Sequence, residues 1–466
     1  MDTIKNKEVQ KMDTVKKNNG TAEFYGGAFG PWIPVIIMIA GMIVGTIIGG
    51  GGMTRFAIIT FIALIVGFLL AKDKKAFGEI SFAGLKNPML SILIVAFLMA
   101  GVMGQLLRQS GLINALIYVM GELNMSIAFL PFVAFIICAI ISTSCGTSSG
   151  SVTAVAPLMI PLAAELGCNV GLVCGAIIAG AIFGDNLAPI SDTTIGSALT
   201  QEAEVTAVVR TRLPYSLIAG GLSAVLFIIF GLRMDSGATI QIGAEVANMK
   251  SLAMLILPIL MIVLMKLGLD LVGTLIICNL VGSILVLILG CIPLGTLLDN
   301  EGPIGAGLTG MMGMLLYILL LFQILEILNA SGAFDRLMNA LLKLCKTARS
   351  GEFAGMLMTA VTTAAAGGSS PAIIFCGPLV RKVAKSFNIE KTRGANILDG
   401  TACGISGILP YGSCMLLCLN FSQGVVPEDF SFIDVVPYSF HSMFLLVLFF
   451  FSILTGIGRR FDEKTK

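Results

Sequence analysis

The sequence predicts an all-α polytopic membrane protein with two inverted repeats, each of about five transmembrane helices plus one re-entrant hairpin, and with discontinuous helices at the centre. Three observations lead there. Of 466 residues, 56% are hydrophobic and only 12% charged, and the mean hydropathy is +0.96. That is more apolar surface than a soluble core can hide, so lipid must solvate most of it. Two apolar stretches are interrupted at mid-length by Gly/Ser/Thr clusters, and the basic residues gather in particular loops.

The first 30 residues are polar, with Lys5, Lys7, Lys11, Lys16 and Lys17, and carry no small-residue cleavage pattern, so residues 1–30 read as a cytoplasmic tail rather than a signal peptide. A hydrocarbon core of about 30 Å takes about 20 apolar residues per helix. On that ruler the first repeat, 31–232, has spans at 31–50, 54–71, 88–109, 171–197 and 213–232. After an external linker, 233–250, the second repeat, 251–457, has spans at 251–267, 268–290, 305–329, 394–420 and 436–457, and 458–466 form a cytoplasmic C-terminal tail. Residues 127–166 and 352–388 are each two half-length apolar runs around a polar cluster, Ser142–Gly150 and Thr362–Pro371, and read as hairpins that return to the side they entered.

Loop charge tests this topology. With the N-terminus inside and neither hairpin crossing, all of the 29 Lys and Arg except Arg55, Arg108, Arg233 and Lys250 fall in cytoplasmic segments, as the positive-inside rule requires. Treating either hairpin as a crossing moves basic loops outward. An odd number of crossings per half inverts the second half relative to the first, the arrangement of many secondary transporters. The eleven cysteines lie mostly in apolar runs without regular spacing and read as small core residues, not a disulfide framework.

The chemistry concentrates after the first hairpin. Gly180–Thr194 places Asp185 and Asp192 around Pro189 in an otherwise apolar helix. A carboxylate deep in the membrane costs about 2.5–3.5 kcal/mol on insertion scales, and Pro189 removes a donor and lets the helix open. Asp185, Asp192, Asn186, the Ser191 and Thr193 hydroxyls and freed carbonyls make an oxygen-rich cage suited to a hard cation, so Na⁺ is expected at Asp185 and Asp192. Alternatively, Ser191–Thr194 caps a helix at the cytoplasmic mouth.

The second-half counterpart, Leu398–Ser413, again carries an acid, Asp399, then Thr401, then Pro410, with Gly400, Gly404, Gly407 and Gly412 weakening the helix. It reads as unwound, ligand-lining backbone or as close packing through small residues. Asp399, about five residues inside the predicted surface, can also be a solvated gate residue. Gly146, Gly184, Pro189, Gly404 and Pro410 are the expected hinges. The hairpin tips Ser148, Ser149, Ser369 and Ser370 begin half-helices whose N–H groups can hold a substrate carboxylate, or they cap those helices. Glu326 is a proton-accessible site or a snorkelling boundary residue, and His441 is expected at the outer interface.

Gly184-Asp185-Asn186-Leu-Ala-Pro189-Ile-Ser191-Asp192-Thr193-Thr194 closely resembles the signature of the NhaC-type sodium/proton antiporters, within the larger ion-transporter superfamily. Thr143–Pro161, with Gly146, Ser148, Gly150, Thr153 and Pro157, is similar to that family's preceding segment. The resemblance implies a scaffold and a transport domain moving against each other, with sodium held by hairpin tips and unwound helices. Its members exchange sodium and protons or carry organic acids and amino acids. The second half departs from the exchangers, with Asp399-Gly400 and Pro410-Tyr411-Gly412-Ser413 where they have an acidic pair and a proline-tryptophan-asparagine run.

The expected activity is sodium-coupled secondary transport, first as Na⁺/H⁺ antiport by alternating access. Asp185, with Asp192 or Asp399, would take either Na⁺ or H⁺. The alternative is Na⁺-coupled movement of a small organic acid or amino acid. An intramembrane hydrolase is a remote alternative: Gly146-Thr-Ser148-Ser-Gly150 fits G-x-S-x-G, but that motif needs a strand-turn-helix elbow and a histidine base. A channel is disfavoured because the polar residues gather at broken helices and line no continuous pore. The expected partners are Na⁺, H⁺, the bilayer of a bacterial-type inner membrane and a second copy in a homodimer. No cofactor, no enzymatic activity and no nucleic acid is expected.

Overall fold

The structure, a computed structural model, describes residues 23–49, 53–122, 126–234 and 248–461. Most of the tail read at 1–30, most of the linker at 233–250, and the end of the 458–466 tail lie outside the described residues. The elements are α1 Trp32–Gly49, α2 Met53–Leu70, α3 Lys74–Gly84, α4 Pro88–Gln109, α5 Leu112–Glu122, α6 Leu130–Cys145, α7 Ser148–Glu165, α8 Val170–Leu187, α9 Asp192–Thr200, α10 Val205–Met234, α11 Ile256–Lys266, α12 Leu271–Ile288, α13 Leu294–Leu297, α14 Pro303–Gly310, α15 Met312–Ala330, α16 Ala333–Leu344, α17 Ala348–Ala366, α18 Ser369–Ser386, α19 Lys391–Ser406, α20 Ser413–Ser422, α21 Phe432–Val435 and α22 Phe440–Thr455. Among the described residues there is no strand beyond two isolated bridges. Eight helices or helix runs among them are long and apolar enough to cross a membrane, or up to nine with the bent pair ending in α22. The chain is a multi-pass membrane protein.

Several boundaries differ from the sequence expectation. The stretch at 171–197 is not one helix: α8 ends at Leu187 and α9 resumes at Asp192. The stretch at 394–420 likewise ends at Ser406 and resumes at Ser413. The arms of the two interrupted segments are 16 to 19 residues long, more than half-length. α10 is a 30-residue helix that begins at Val205, so Arg210 and Arg212 belong to a helix and not to a loop. The short helices α3, α5 and α16 escape a ruler set to the bilayer thickness.

The order of elements recurs at a constant spacing of 221 residues. Gly146, left-handed at the end of α6, is matched by Gly367 at the end of α17. N-cap Thr147 is matched by Gly368, and the first residue of α7, Ser148, by Ser369 of α18. Val170 of α8 corresponds to Lys391 of α19, Pro189 to Pro410, and N-cap Ser191 of α9 to N-cap Gly412 of α20. A left-handed residue without a Cβ closes both α6 and α17, because only glycine adopts that conformation without strain.

The chain forms two compact units. Of the described residues, the first holds 23–48, 53–93 and 313–340, with a core of Phe24, Ala71, Phe77, Ile80 and Ile327. There Gly84 lies so close to the Phe322 carbonyl that a Cβ would stand 2.5 Å from it, and Ser81 donates to Gln323 Oε1 at 2.6 Å. The second unit holds the described residues among 94–312 and 341–461 and carries the polar centre. In it α6 and α8 cross at Gly184, where a Cβ would meet the Ala139 carbonyl and Ser142 Cβ at 2.5 Å. In the same unit α19 packs on α22 through Gly400 and Gly404, against Phe449 and Leu446.

Candidate functional site

α8 stops where Pro189 cannot donate to the helix ladder. Ala188 N–H still reaches the Gly184 carbonyl at 2.9 Å, and a turn at 189–190, closed by Ser191 N–H on the Ala188 carbonyl at 3.2 Å, leads to the start of α9. The last turn of α8 presents Asp185 and Asn186, both buried. Ser191, the N-cap of α9, accepts from Thr193 N–H at 3.2 Å and donates its hydroxyl to Asp185 Oδ1 at 2.6 Å. Ser148, on the first turn of α7, lies beside the same carboxylate, and Asp192 and Asp399 are its acidic neighbours. Among the described residues no Lys or Arg is ion-paired with Asp185.

Asp399, on α19, is in a different state. Its side chain has no exposed surface and pairs with Arg212 Nη1 at 2.5 Å. Ser197 donates to Oδ2 at 3.3 Å, Asn186 Nδ2 to Oδ1 at 3.4 Å, and Cys403 Sγ to Oδ1 at 3.0 Å. Arg212 Nη1 also donates to the Asn186 carbonyl at 2.7 Å and to Thr194 Oγ1 at 3.1 Å, and Nε donates to Asn396 Oδ1 at 3.2 Å. The helix break thus exposes a carbonyl that a buried guanidinium takes up. Arg212 Nη2 has no partner among the described residues, nor has the buried Thr401 hydroxyl. The expectation of Asp399 as a solvated gate residue is corrected: α10, α9 and α19 enclose it.

The other expected residues are placed unevenly. Thr193 is buried, whereas Asp192 is exposed as the first residue of α9, with Oδ1 accepting its own neighbour's Thr193 N–H at 2.9 Å. Ser149 Oγ meets Ser413 Oγ at 2.8 Å, so the first tip touches the start of α20. On the second tip Tyr411 donates to the Ala364 carbonyl at 2.5 Å, and neither Ser369 nor Ser370 hydrogen-bonds to a carboxylate of this centre among the described residues. None of the four serines is a cap, since Thr147 and Gly368 hold the N-cap positions. Gly146 has φ +68 and Gly184 is closely packed. Pro189 and Pro410 lie inside the two breaks, and Gly404 serves close packing on α22. Glu326 is half-buried on α15. His441, the second residue of α22, is fully buried and lies edge-on to Phe183 at 5.3 Å. The G-x-S-x-G segment spans a helix end and a helix start, not a strand-turn-helix elbow.

Sequence reasoning missed Arg212, Asn396, Ser197 and Ser216, whose hydroxyl donates to Asn186 Oδ1. It also missed Glu352, buried on α17 between Arg393 Nε at 2.8 Å and Arg459 Nη2 at 2.6 Å. Arg212, Arg393 and Arg459 had been counted as loop cations. The signal for Arg212 was available only as its position directly before the apolar run expected at 213–232.

Fold and site together define a multi-pass membrane protein with a buried, partly neutralised acidic centre at two broken helices. The model of the Na⁺/H⁺ antiporter family matches residues 15–232 of the chain. It is 32% identical over 182 residues to the malate-2H⁺/Na⁺-lactate antiporter of Bacillus subtilis, covering 39% of this chain and 38% of that one. It is 32% identical over 76 residues to the arginine/ornithine antiporter ArcD of Halobacterium salinarum, covering 16% of each. With the Na⁺/H⁺ antiporter NhaC of Bacillus subtilis it shares 23% identity over 401 residues, 81% of this chain and 86% of that one. The chain thus matches well under half the length of the first two relatives.

Proposed function

We propose that the protein is a sodium-coupled secondary transporter that exchanges Na⁺ for H⁺ by alternating access. The observation that carries this reading is Asp185: a carboxylate 2% exposed, at a helix break, held by one hydroxyl and with no paired cation among the described residues. A buried acid of this kind needs a cation or a proton, and the two compete for the same oxygens. Asp192, exposed at the start of α9, stands at the mouth of the centre, and Ser191 and Thr193 supply further oxygen ligands. Asp399 does not bind the ion, because Arg212 already neutralises it.

The constant spacing between the two sets of elements supports two inverted repeats at 31–232 and 251–457, with α6–α7 and α17–α18 as re-entrant hairpins. That topology, in an inner membrane with both termini cytoplasmic, keeps the loop charges inside. The test is purified protein in proteoliposomes with a trapped pH dye under an imposed sodium gradient. Sodium-driven proton movement that disappears in Asp185→Asn supports the reading, and its persistence in that variant removes Asp185 from it.

One observation favours a second reading, Na⁺-coupled exchange of a small carboxylate. The unpartnered Nη2 of Arg212 and the hydroxyl of Thr401 are buried donors without acceptors, and two relatives are named for organic acids or amino acids. Sodium-dependent uptake of labelled malate or lactate into the same vesicles, with no proton movement in its absence, would establish this second activity over the first.

A further inference from the structure

A cavity of about 800 Å³ lies against α10, the start of α19 and the end of α22. Ring contacts set the direction of its walls. Tyr215 stacks on Phe449 at 4.9 Å, and Phe227 packs on Phe440 at 5.0 Å, so α10 and α22 run antiparallel. Arg210, early in α10, and Arg460, beyond the end of α22, therefore border the same end of the cavity. Ile218 lies two turns further along α10, about 12 Å away at the helical rise, at the level of Leu448. The lining thus passes from cationic to apolar along the helix axes.

The polar end is not self-satisfied. Of its arginines, Arg393 is engaged by Glu352, whereas Arg210 and Arg460 are exposed and form no ion pair among the described residues. Glu390 accepts the Thr392 hydroxyl at 3.0 Å on one oxygen, and its Oε2 is buried without a partner. The apolar end is open: Ile218 is 52% and Phe451 56% exposed on helices that read as spans.

The geometry points to an anionic phospholipid with a hydroxyl-bearing headgroup as the occupant of this cavity. Two uncompensated guanidiniums suit a phosphodiester. The free Glu390 oxygen takes a headgroup hydroxyl, and Ile218, Leu448 and Phe451 take the acyl chain. Free phosphate would leave the apolar half unused, and a choline headgroup offers Glu390 no donor.

The test is lipid retention by the full chain in nanodiscs of phosphatidylcholine with a minor fraction of phosphatidylglycerol or of phosphatidylethanolamine, read by native mass spectrometry. Phosphatidylglycerol is expected to be retained over both other lipids. The double variant Arg210→Gln/Arg460→Gln should bind it roughly 30-fold more weakly. Ile218→Trp, which keeps both arginines and narrows the apolar end, should weaken it too. Both variants should keep the wild-type melting temperature in phosphatidylcholine alone. Equal retention of the three lipids, or unchanged affinity in both variants, overturns the proposal. So does displacement by glycerol phosphate as effective as by the lipid, which would mark a site for a free anion. Transport is not the readout, so a failed antiport assay leaves this result standing.

Discussion

Arg212 on α10 and Asp399 on α19 form an ion pair of 2.5 Å in which neither side chain has any exposed surface. Removing one partner of such a pair strands the other charge and typically costs about 3–5 kcal/mol, whereas replacing both with apolar groups is often neutral or stabilising. Arg212→Met is therefore expected to lower the melting temperature in detergent sharply. Arg212→Met/Asp399→Met should recover most of that loss. A double variant as unstable as the single one would show that the remaining contacts of Arg212, to the Asn186 carbonyl and Thr194, carry the stability instead.

Ser191 has two duties that a substitution can separate. As N-cap of α9 it tolerates glycine at a cost of only a few tenths of a kcal/mol, but glycine removes the hydroxyl that donates to Asp185. Ser191→Gly should keep the wild-type melting temperature and raise the sodium concentration needed for half-maximal proton movement by about tenfold, the worth of one hydrogen bond to a charged group. An unchanged sodium dependence would leave Ser191 with a capping role alone.

Two glycines on membrane helices should respond oppositely to the same change. At Gly184 an added Cβ meets the Ala139 carbonyl and Ser142 at 2.5 Å, and α6 has to move. Gly184→Ala is expected to destabilise by about 1–3 kcal/mol, the range for overpacking. At Gly221 nothing lies within 4 Å of the added atom, so Gly221→Ala should be neutral or stabilising by up to about 1 kcal/mol through helix propensity. Melting temperatures of the pair in one detergent make the comparison.

Glu202, in the turn between α9 and α10, is exposed and carries Lys385 at 2.6 Å, Arg381 at 3.2 Å and Lys391 at 3.9 Å. The Lys385 ammonium first, and then Arg381, hold its carboxyl below the ordinary glutamate range. A carboxyl lowered on folding contributes stability that is present above its unfolded pKa and is lost as pH falls through the folded one. Glu202→Gln should therefore cost a little stability at neutral pH and nothing once the medium is acid enough to protonate the carboxyl in the folded protein. Added salt should shrink the neutral-pH difference as well. A difference that is the same at all pH values would point to the turn itself, where Glu202 has φ +59.

Asp185, Asn186 and Ser191 were legible in the sequence because an acid within an apolar helix is costly wherever it lies. The proline beside it marked the break. The tips at Gly146 and Gly367 were legible from composition alone. Arg212 was not, because seven residues of α10 precede it and a neighbouring Arg210 made the stretch look like a loop. Loop counting treats every guanidinium as solvated, and so it misread Arg393 and Arg459, which fold back onto the buried Glu352. The burial of His441 was not legible for a related reason: its position at the end of a span says nothing about which face of α22 it occupies, and that face packs on Phe183.

The pairing of Arg212 with Asp399 also sets the electrical character of the centre. The pair is neutral as a unit, so a step that displaced both residues together would do no work against the membrane potential. Asp185 is a buried acid with no paired cation among the described residues. One elementary charge carried through 100 mV is worth about 2.3 kcal/mol, so on the proposed Na⁺/H⁺ exchange the centre would feel the field with Asp185 bare and would be silent to it with a sodium ion or a proton bound.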